Sequence, residues 1–492
     1  MTPQLDLLLI NPNGRKQIYQ GLSNDLAAIE PPTWAILIAS YLRKNGCSVE
    51  IIDADAECLS PEQVAERVAA SNPRMVAVVV HGQQPSASTQ NMPAARATCQ
   101  AIKDRSGTPI MMLGTHPSAL QERTVLEEPV DWVCEGEGPL SILPLLQNAR
   151  SNSIHAYKSA KGLWWKERGV IYHNQPAPLL QDLGNEYGSL AWDLLPMNKY
   201  RAHNWHCWDD ITKRQPYASF YTSFSCPMGC TFCCIAAPYG GSGKGYRRFN
   251  PDWVIAEIDT LVTRYGVRNI KFIDEMFVLN EAHVLGICDL IIERVYDLNV
   301  WAYARSGTVR DSMLEKLKKA GFHWLGLGIE SASSYVRDGV DKSFGKRDIK
   351  KVVKKVKDAG ICIGANYIFG LPDDTHKTMK DTLDLALELC TDWANFYGAM
   401  AYPGSQLYRD ALAKGWALPD SWIGYSQHAY ETQPLPTAVL TSAEVLRFRD
   451  EAFQTYFTNT AYLSYIERRF GDGTLQHVKD MVTIPLPRKL YS

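Results

Sequence analysis

The stretch Cys226-Pro227-Met228-Gly229-Cys230-Thr231-Phe232-Cys233 sets three cysteines at a C-x₃-C-x₂-C spacing, directly after the strand-like run Ala218-Ser219-Phe220-Tyr221-Thr222-Ser223-Phe224. Three thiolates hold three corners of a [4Fe–4S] cube and leave one iron open, whereas the usual cluster has four cysteine ligands. An open corner admits a small molecule, as open zinc sites do. Cys226, Cys230 and Cys233 are therefore the candidate metal ligands. A zinc knuckle would offer a second pair of Cys or His close by. Cys234 is the adjacent sulfur, but neighbours in an extended loop point apart, so it is left out of the ligand set.

Downstream of the cysteines, strand-like runs alternate with helical stretches. They are Asn269–Ile273, Val300–Arg305, His323–Ser331, Cys362–Gly370 and Trp393–Met400, six strands when the run through Phe220 is counted. This suits a partial (β/α)₆ barrel. Barrel enzymes work at the carboxyl ends of their strands, and here those ends carry Asp274, Glu275, Arg305, Glu330, Ser331 and Asn366.

Upstream, residues 1–147 also alternate, with strands expected at Leu7–Ile10, Val49–Asp53, Met75–Val80, Ile110–Gly114 and Trp132–Cys134. Helices are expected over Trp34–Lys44 and Pro61–Ala70. Continuous apolar strands are those buried on both faces, so this part reads as a doubly wound, Rossmann-like parallel sheet. Ligands of such sheets lie at the carboxyl ends of the strands. Those ends are Asn11-Pro12-Asn13, His81 to Thr89, Gly114-Thr115-His116-Pro117 and Glu135-Gly136-Glu137-Gly138. Each alone reads as an ordinary turn; together they read as a binding rim. No G-x-G-x-x-G follows the first strand, which argues against a dinucleotide.

Residues 148–214 read as a connector with a small hairpin around Gly162-Leu163-Trp164-Trp165 and Gly169-Val170-Ile171-Tyr172. Trp192, Tyr200, Trp205 and Trp208 in it fit a domain seam or a cofactor face. The barrel is expected over 215–409 and a helical extension over 410–492, with Thr441 capping a helix to Phe457. Tyr246-Arg247-Arg248 reads as a solvated loop or a contact for an anion.

With 51 basic and 53 acidic side chains the formal charge is −2, which gives no electrostatic case for nucleic acid. No run of about 18 apolar residues marks a membrane span. The start, Met1-Thr2-Pro3-Gln4-Leu5-Asp6, lacks the basic region of a signal peptide. The 12 cysteines, without regular pairing, and an oxygen-sensitive cluster point to a cytoplasmic location. Cys47, Cys58, Cys99, Cys288, Cys362 and Cys390 are expected as buried free thiols.

The cysteine spacing, the aromatic Phe232 before the third cysteine and the preceding strand resemble the radical S-adenosylmethionine (SAM) superfamily, from about Pro216 to Tyr408. That resemblance implies SAM chelated to the open iron and cleaved to a 5′-deoxyadenosyl radical. The α-ammonium of SAM would meet Glu275 or Asp274, its carboxylate Arg305, and its ribose Glu330 or Ser331. Its adenine would meet backbone near Phe232 and Ile368-Phe369-Gly370.

An open α/β unit ahead of such a barrel is similar to the cobalamin-binding subfamily. The resemblance implies corrin contacts from Asn11, Gln83, Pro85, Ser86, Ser88, Gly114, His116, Glu135, Gly136 and Glu137. The D-x-H-x-x-G motif that supplies a histidine to cobalt is not found; around His116 its Asp position is Gly114 and its Gly position is Ala119. Cobalamin is thus expected without a protein histidine on cobalt, with His81 and His116 as contacts or as plain capping residues. The implied activity is methyl transfer from methylcobalamin to an unactivated carbon or a phosphinate phosphorus, after hydrogen abstraction by the adenosyl radical. The alternatives are a cyclase like the anaerobic magnesium-protoporphyrin monomethyl ester cyclase, a rearranging or oxidising enzyme, and a non-catalytic sensor. A small-molecule substrate and an external electron donor of flavodoxin or ferredoxin type are the implied partners.

Overall fold

The computed structural model describes residues 4–81, 87–150, 156–241, 243–342 and 348–491. Five parallel strands form the N-terminal sheet: β1 (Leu7–Asn11), β2 (Val49–Asp53), β3 (Met75–Val80), β4 (Ile110–Gly114) and β5 (Trp132–Cys134). β1 sits between β2 and β3, with Leu7 opposite both Val49 and Met75. Every residue of β3 and β4 is buried, which is why these runs carry no polar alternation. The helix Thr33–Lys44 packs on one face through Trp34, Leu37, Ile38 and Leu42. Pro61–Ser71 covers the other, its start fixed by a reciprocal cap between Ser60 and Gln63.

The stretch read as a connector begins by extending this sheet. The hairpin β6 (Leu163–Glu167) and β7 (Val170–His173) adds two antiparallel strands, with Trp132 opposite Trp165. The order is β2-β1-β3-β4-β5-β6-β7.

The second sheet curls into a half-barrel of six parallel strands, in the order β15-β14-β13-β12-β11-β8. These are β8 (Tyr217–Phe220), β11 (Asn269–Phe272), β12 (Asn299–Arg305), β13 (Phe322–Glu330), β14 (Cys362–Phe369) and β15 (Trp393–Gly398). A short ribbon, β9 (Ser223–Phe224) with β10 (Arg247–Arg248), brackets the cysteine loop. Trp205 and Trp208 close the floor of the half-barrel. The Trp205 ring lies 5.0 Å from Trp301 and 5.1 Å from Trp324, and Trp208 lies 5.6 Å from Trp393. They pack against strand starts, on the side away from the chemistry. Tyr200 and Trp192 are also structural: the Tyr200 hydroxyl donates to Asp53 at 2.8 Å and the Trp192 indole to Glu257 at 2.8 Å.

Buried polar ties fix the first unit on the barrel. Lys271 Nζ lies 2.8 Å from Glu30 Oε1, and Arg247 Nη2 lies 2.7 Å from Glu137 Oε1. Thr33 Oγ1 donates to the Ser219 carbonyl at 3.0 Å. The helix Ser442–Phe457, capped by Thr441 and Glu444, runs beneath β15, where Arg449 Nε donates to the Phe396 carbonyl at 2.7 Å. The C-terminal part also reaches the first sheet, where Trp422 meets His116 edge-on at 4.5 Å.

Two readings of the sequence are corrected. Cys58 is exposed, because it ends a one-turn helix in a left-handed conformation, and Cys390 is only half-buried. Arg247 is not solvated: its pair with Glu137 draws it inside. Among the described residues no helix is long and apolar enough to cross a membrane.

Candidate functional site

The cysteine loop leaves β9 at Ser225, which adopts a left-handed φ of 66° and donates its hydroxyl to the Lys244 carbonyl at 2.6 Å. Two backbone bonds pin the loop from outside, Thr231 N to the Val340 carbonyl at 3.2 Å and Leu407 N to the Thr231 carbonyl at 2.8 Å. Cys230 is buried, and Cys226 and Cys233 are half-buried. Burial pushes the Cys226 thiol up to about 11, with Glu275 and Cys230 adding to the effect. Burial also raises Cys233, helped by the fields of Cys234, Cys230 and Cys226. The three thiols thus lie within one another's electrostatic reach. Among the described residues no three His, Cys, Asp or Glu side chains converge closely enough to ligate an ion as they stand. A cluster would draw the sulfurs together. Soft thiolates in a mostly buried loop fit an iron–sulfur group. Cys234 is wholly buried, its thiol raised to about 12 by burial.

Glu275 stands beside this loop. Both carboxylate oxygens are buried and no hydrogen bond closes on either, although the backbone N–H groups of Ser225 and of Glu275 itself lean towards them. Burial, with Asp274 adding, raises the carboxyl to about 8. Leaving a polar group so is costly unless a ligand completes it, and a substrate-like ammonium fits. Asp274 has a different job. Its Oδ1 accepts from Thr222 N at 2.6 Å, and its Oδ2 accepts from the Thr222 and Ser223 hydroxyls, each at 2.6 Å. It ties the end of β11 to the turn into β9 and leaves Glu275 as the free acceptor.

Two cations face the same loop. Arg305 Nη1 is 3.9 Å from Cys230 Sγ. Lys342 Nζ is 2.8 Å from Glu330 Oε1 and sits 5.9 Å over the Phe232 ring. Glu330 ends β13 with a left-handed φ of 63°, which turns its carboxylate onto Lys342; a Cβ at Gly328 would lie 2.6 Å from Glu330 Oε1. The Ser331 hydroxyl is engaged by Thr382 Oγ1 and Ser333 N, each at 3.2 Å, so it serves the following turn. Phe232 is half-buried against Val336, Leu371 and Leu407. Asn366 accepts from Asn395 Nδ2 at 2.9 Å.

At the N-terminal rim, Asn11 donates to Asp53 at 2.8 Å. Ser88 donates to the Val80 carbonyl and accepts from His116 N at 3.0 Å, bridging β3 and β4. Gly114, at φ 139°, passes so near Val80 that a Cβ would lie 2.2 Å from its carbonyl oxygen. The His116 imidazole is buried against Thr89 Oγ1 at 3.1 Å; burial and then Arg123 lower it to about 3, so it is neutral. Glu135 accepts from the Trp164 indole at 3.0 Å, Gly136 N donates to Ser118 Oγ at 3.1 Å, and Glu137 is committed to Arg247. Gln83, Pro85 and Ser86 lie outside the described residues.

Between the two sets of strand ends lies one pocket. Asn11, Arg15, Trp34 and His81 line it from the first unit, and Ser219 and Tyr221 from the barrel. Arg15, Trp34, Glu30 and Lys271 did not emerge from the sequence reading. The available signal was a lysine in the apolar strand Asn269–Phe272 and the Glu30-Pro31-Pro32 step before a helix.

Comparison with known proteins agrees with this two-part site. The B12 binding domain family matches residues 20–143, and the Radical SAM superfamily matches residues 220–386. An uncharacterized methyltransferase, PH0819 of Pyrococcus horikoshii, is 30% identical over 80% of this chain and 82% of its own length. The chain is a cobalamin-binding radical SAM protein. The anaerobic magnesium-protoporphyrin IX monomethyl ester cyclase of Rubrivivax gelatinosus is 26% identical to this radical SAM protein, over 93% of this chain and 78% of the cyclase. Among solved structures, the radical SAM methyltransferase TsrM of Kitasatospora setae, with cobalamin and [4Fe–4S] cluster bound, shares the fold. It matches at a TM-score of 0.66 and 18% identity, over 84% of this chain and 75% of that one. The cobalamin-dependent enzyme OxsB matches at 0.69 and 15%, over 96% of this chain and 71% of that one. The two matched domains support a cobalamin site in the first unit and a radical SAM site, with its cluster and SAM, in the barrel.

Proposed function

We propose that the protein is a methyltransferase that places a cobalamin-borne methyl group on an unactivated carbon or a phosphinate phosphorus of a small molecule. The observation that carries this reading is the shared pocket: the rims of the cobalamin-binding unit and of the radical SAM barrel open onto one space. Relatives named as methyltransferases, among them PH0819, support it.

When bound, the cluster with SAM supplies a hydrogen-abstracting radical and cobalamin supplies the methyl group. The chain's own residues do the positioning. Cys226, Cys230 and Cys233 hold the cluster. Glu275 accepts the SAM ammonium, which satisfies its orphan oxygens. Arg305 takes the carboxylate, and Glu330, aimed by its left-handed backbone, takes the ribose. Asn11, Ser88, Gly114 and Gly136 shape the corrin rim through close backbone approach. His116, held by Thr89 and Trp422, would serve as a wall of the corrin rim rather than as a cobalt ligand. An external one-electron donor of flavodoxin or ferredoxin type, in a cytoplasmic setting, reduces the cluster. The boundaries 1–147, 148–214, 215–409 and 410–492 divide this labour.

The test is the product set of the reduced, reconstituted enzyme. A methylated product formed together with S-adenosylhomocysteine and 5′-deoxyadenosine is expected. Deoxyadenosine with an oxidised, cyclised or rearranged product, and no S-adenosylhomocysteine, would favour the cyclase-like reading that the match over 93% of the chain keeps in view.

A further inference from the structure

Strand alternation sets the inner wall of the half-barrel. Trp301, Tyr303 and Arg305 share one face of β12, and Trp393, Asn395 and Tyr397 share one face of β15. Trp301 and Trp393 pack on the tryptophan floor, while Arg305 reaches Cys230. Tyr303 and Tyr397 therefore stand above the floor, towards the cysteine loop. Both are half-buried, and neither hydroxyl has a hydrogen-bond partner among the described residues. Tyr19, which lines the shared pocket, lies within electrostatic reach of both.

The C-terminal part closes another side of this space. Gln427 hooks onto the end of β15, accepting from Gly398 N and donating to the Gly398 carbonyl, each at 2.9 Å. His428 follows and is fixed through its backbone. Its N–H donates to Ser426 Oγ at 3.1 Å, and its carbonyl accepts from Gln20 Nε2 at 2.6 Å. Its ring stacks on Tyr19 at 5.6 Å, and its buried Nδ1 has no hydrogen-bond partner among the described residues.

The charges that border the space are spent elsewhere. Glu30 pairs with Lys271 at 2.8 Å, Arg15 with Asp55 at 3.8 Å and Glu330 with Lys342 at 2.8 Å. Arg449 and Arg488 are taken by Asp450 and by the Phe396 and Ala429 carbonyls. Glu275 and Arg305 are opposite in sign and both serve SAM in the reading above. What faces the space is neutral: burial holds the phenols of Tyr19, Tyr303 and Tyr397 above their usual range and the His428 imidazole below its own. A charged molecule brought here out of water would find no counter-charge. A neutral one with hydrogen-bonding groups would complete the unpaired phenols and imidazole.

We propose that the substrate is an uncharged molecule bearing hydroxyl or amide groups, held by Tyr303 and Tyr397 of the barrel and by His428 of the C-terminal part. This rests on the radical methyltransferase reading above and narrows it to carbon, since a phosphinate brings its own charge.

The test divides a small-molecule extract of the protein's source cells, by ion exchange at neutral pH, into uncharged, anionic and cationic pools. Each pool is given to the reduced enzyme, loaded with cluster and cobalamin, together with SAM, and 5′-deoxyadenosine is measured. The uncharged pool is expected to stimulate its formation several-fold. Tyr303→Phe and Tyr397→Phe keep size and should fold. Each is expected to raise the amount of that pool needed for half-maximal rate about 5-fold, the value of one hydrogen bond. No stimulation by the uncharged pool, whatever the other pools do, would overturn the inference. So would half-maximal amounts unchanged in both variants. Stimulation by the uncharged pool with no methylated product would remove the methyltransferase reading and leave the substrate class standing.

Discussion

Lys271 Nζ, on the barrel strand β11, lies 2.8 and 3.1 Å from the two carboxylate oxygens of Glu30, 241 residues earlier in the chain. The lysine is 1% exposed and the glutamate 5%. Breaking a buried pair strands one charge and costs about 3–5 kcal/mol, whereas replacing both partners by apolar groups is close to neutral. Lys271→Met alone should therefore lower the denaturation midpoint sharply, and Glu30→Met with Lys271→Met should recover most of it. Chemical denaturation of the three variants checks this; equal losses for the single and double variants would contradict it.

The cysteine assignment predicts a sharp split. Cys230→Ala should yield protein without the brown absorbance of the cluster. Cys234→Ala should keep the iron and sulfide content of wild type, since its thiol is held buried and neutral. Iron analysis after anaerobic reconstitution decides it.

Asp53 predicts a pH dependence. Burial first, and Asp55 next, raise its carboxyl from 3.8 to about 7, despite bonds from Asn11, Tyr200 and Ala56 N. Below about pH 4 folded and unfolded chains both hold the proton. As pH rises towards 7 only the unfolded chain gives it up, so stability falls across that window and levels off above it. The span is about 4 kcal/mol. Asp53→Asn should remove this component, visible as a flatter stability curve between pH 4 and 7 than that of wild type.

Gly404 is where three parts of the chain meet. A Cβ there would lie 3.0 Å from Ala119 Cβ and 3.1 Å from Ala237 Cβ, and the backbone holds φ 94°. Gly404→Val should cost about 1–3 kcal/mol from overpacking alone, with the left-handed strain added. A thermal midpoint within experimental scatter of wild type would show that the three segments separate easily.

Met75–Val80 was legible as an unbroken apolar run and Val49–Asp53 from Val49, Ile51 and Ile52 despite Glu50, and both fall where the sequence places them. The cysteine triad was legible because its spacing is local. Glu275 and Asp274 could not be told apart in sequence, since they are adjacent and only the fold gives Thr222 and Ser223 to one of them. The extension of the first sheet by Leu163–Glu167 and Val170–His173 was hidden because a hairpin carries no mark of the sheet it joins. That Arg15, Trp34 and Ser219 line one pocket depends on packing between segments almost 200 residues apart, as between Thr33 and Ser219, which no window of sequence contains.

The tryptophan floor has a consequence for traffic. Trp205, wedged against Trp301 and Trp324, stoppers the barrel at its far end. With that end filled by indole rings, the barrel is left to work from its other end, where Ser219 and Tyr221 face the pocket shared with the first unit.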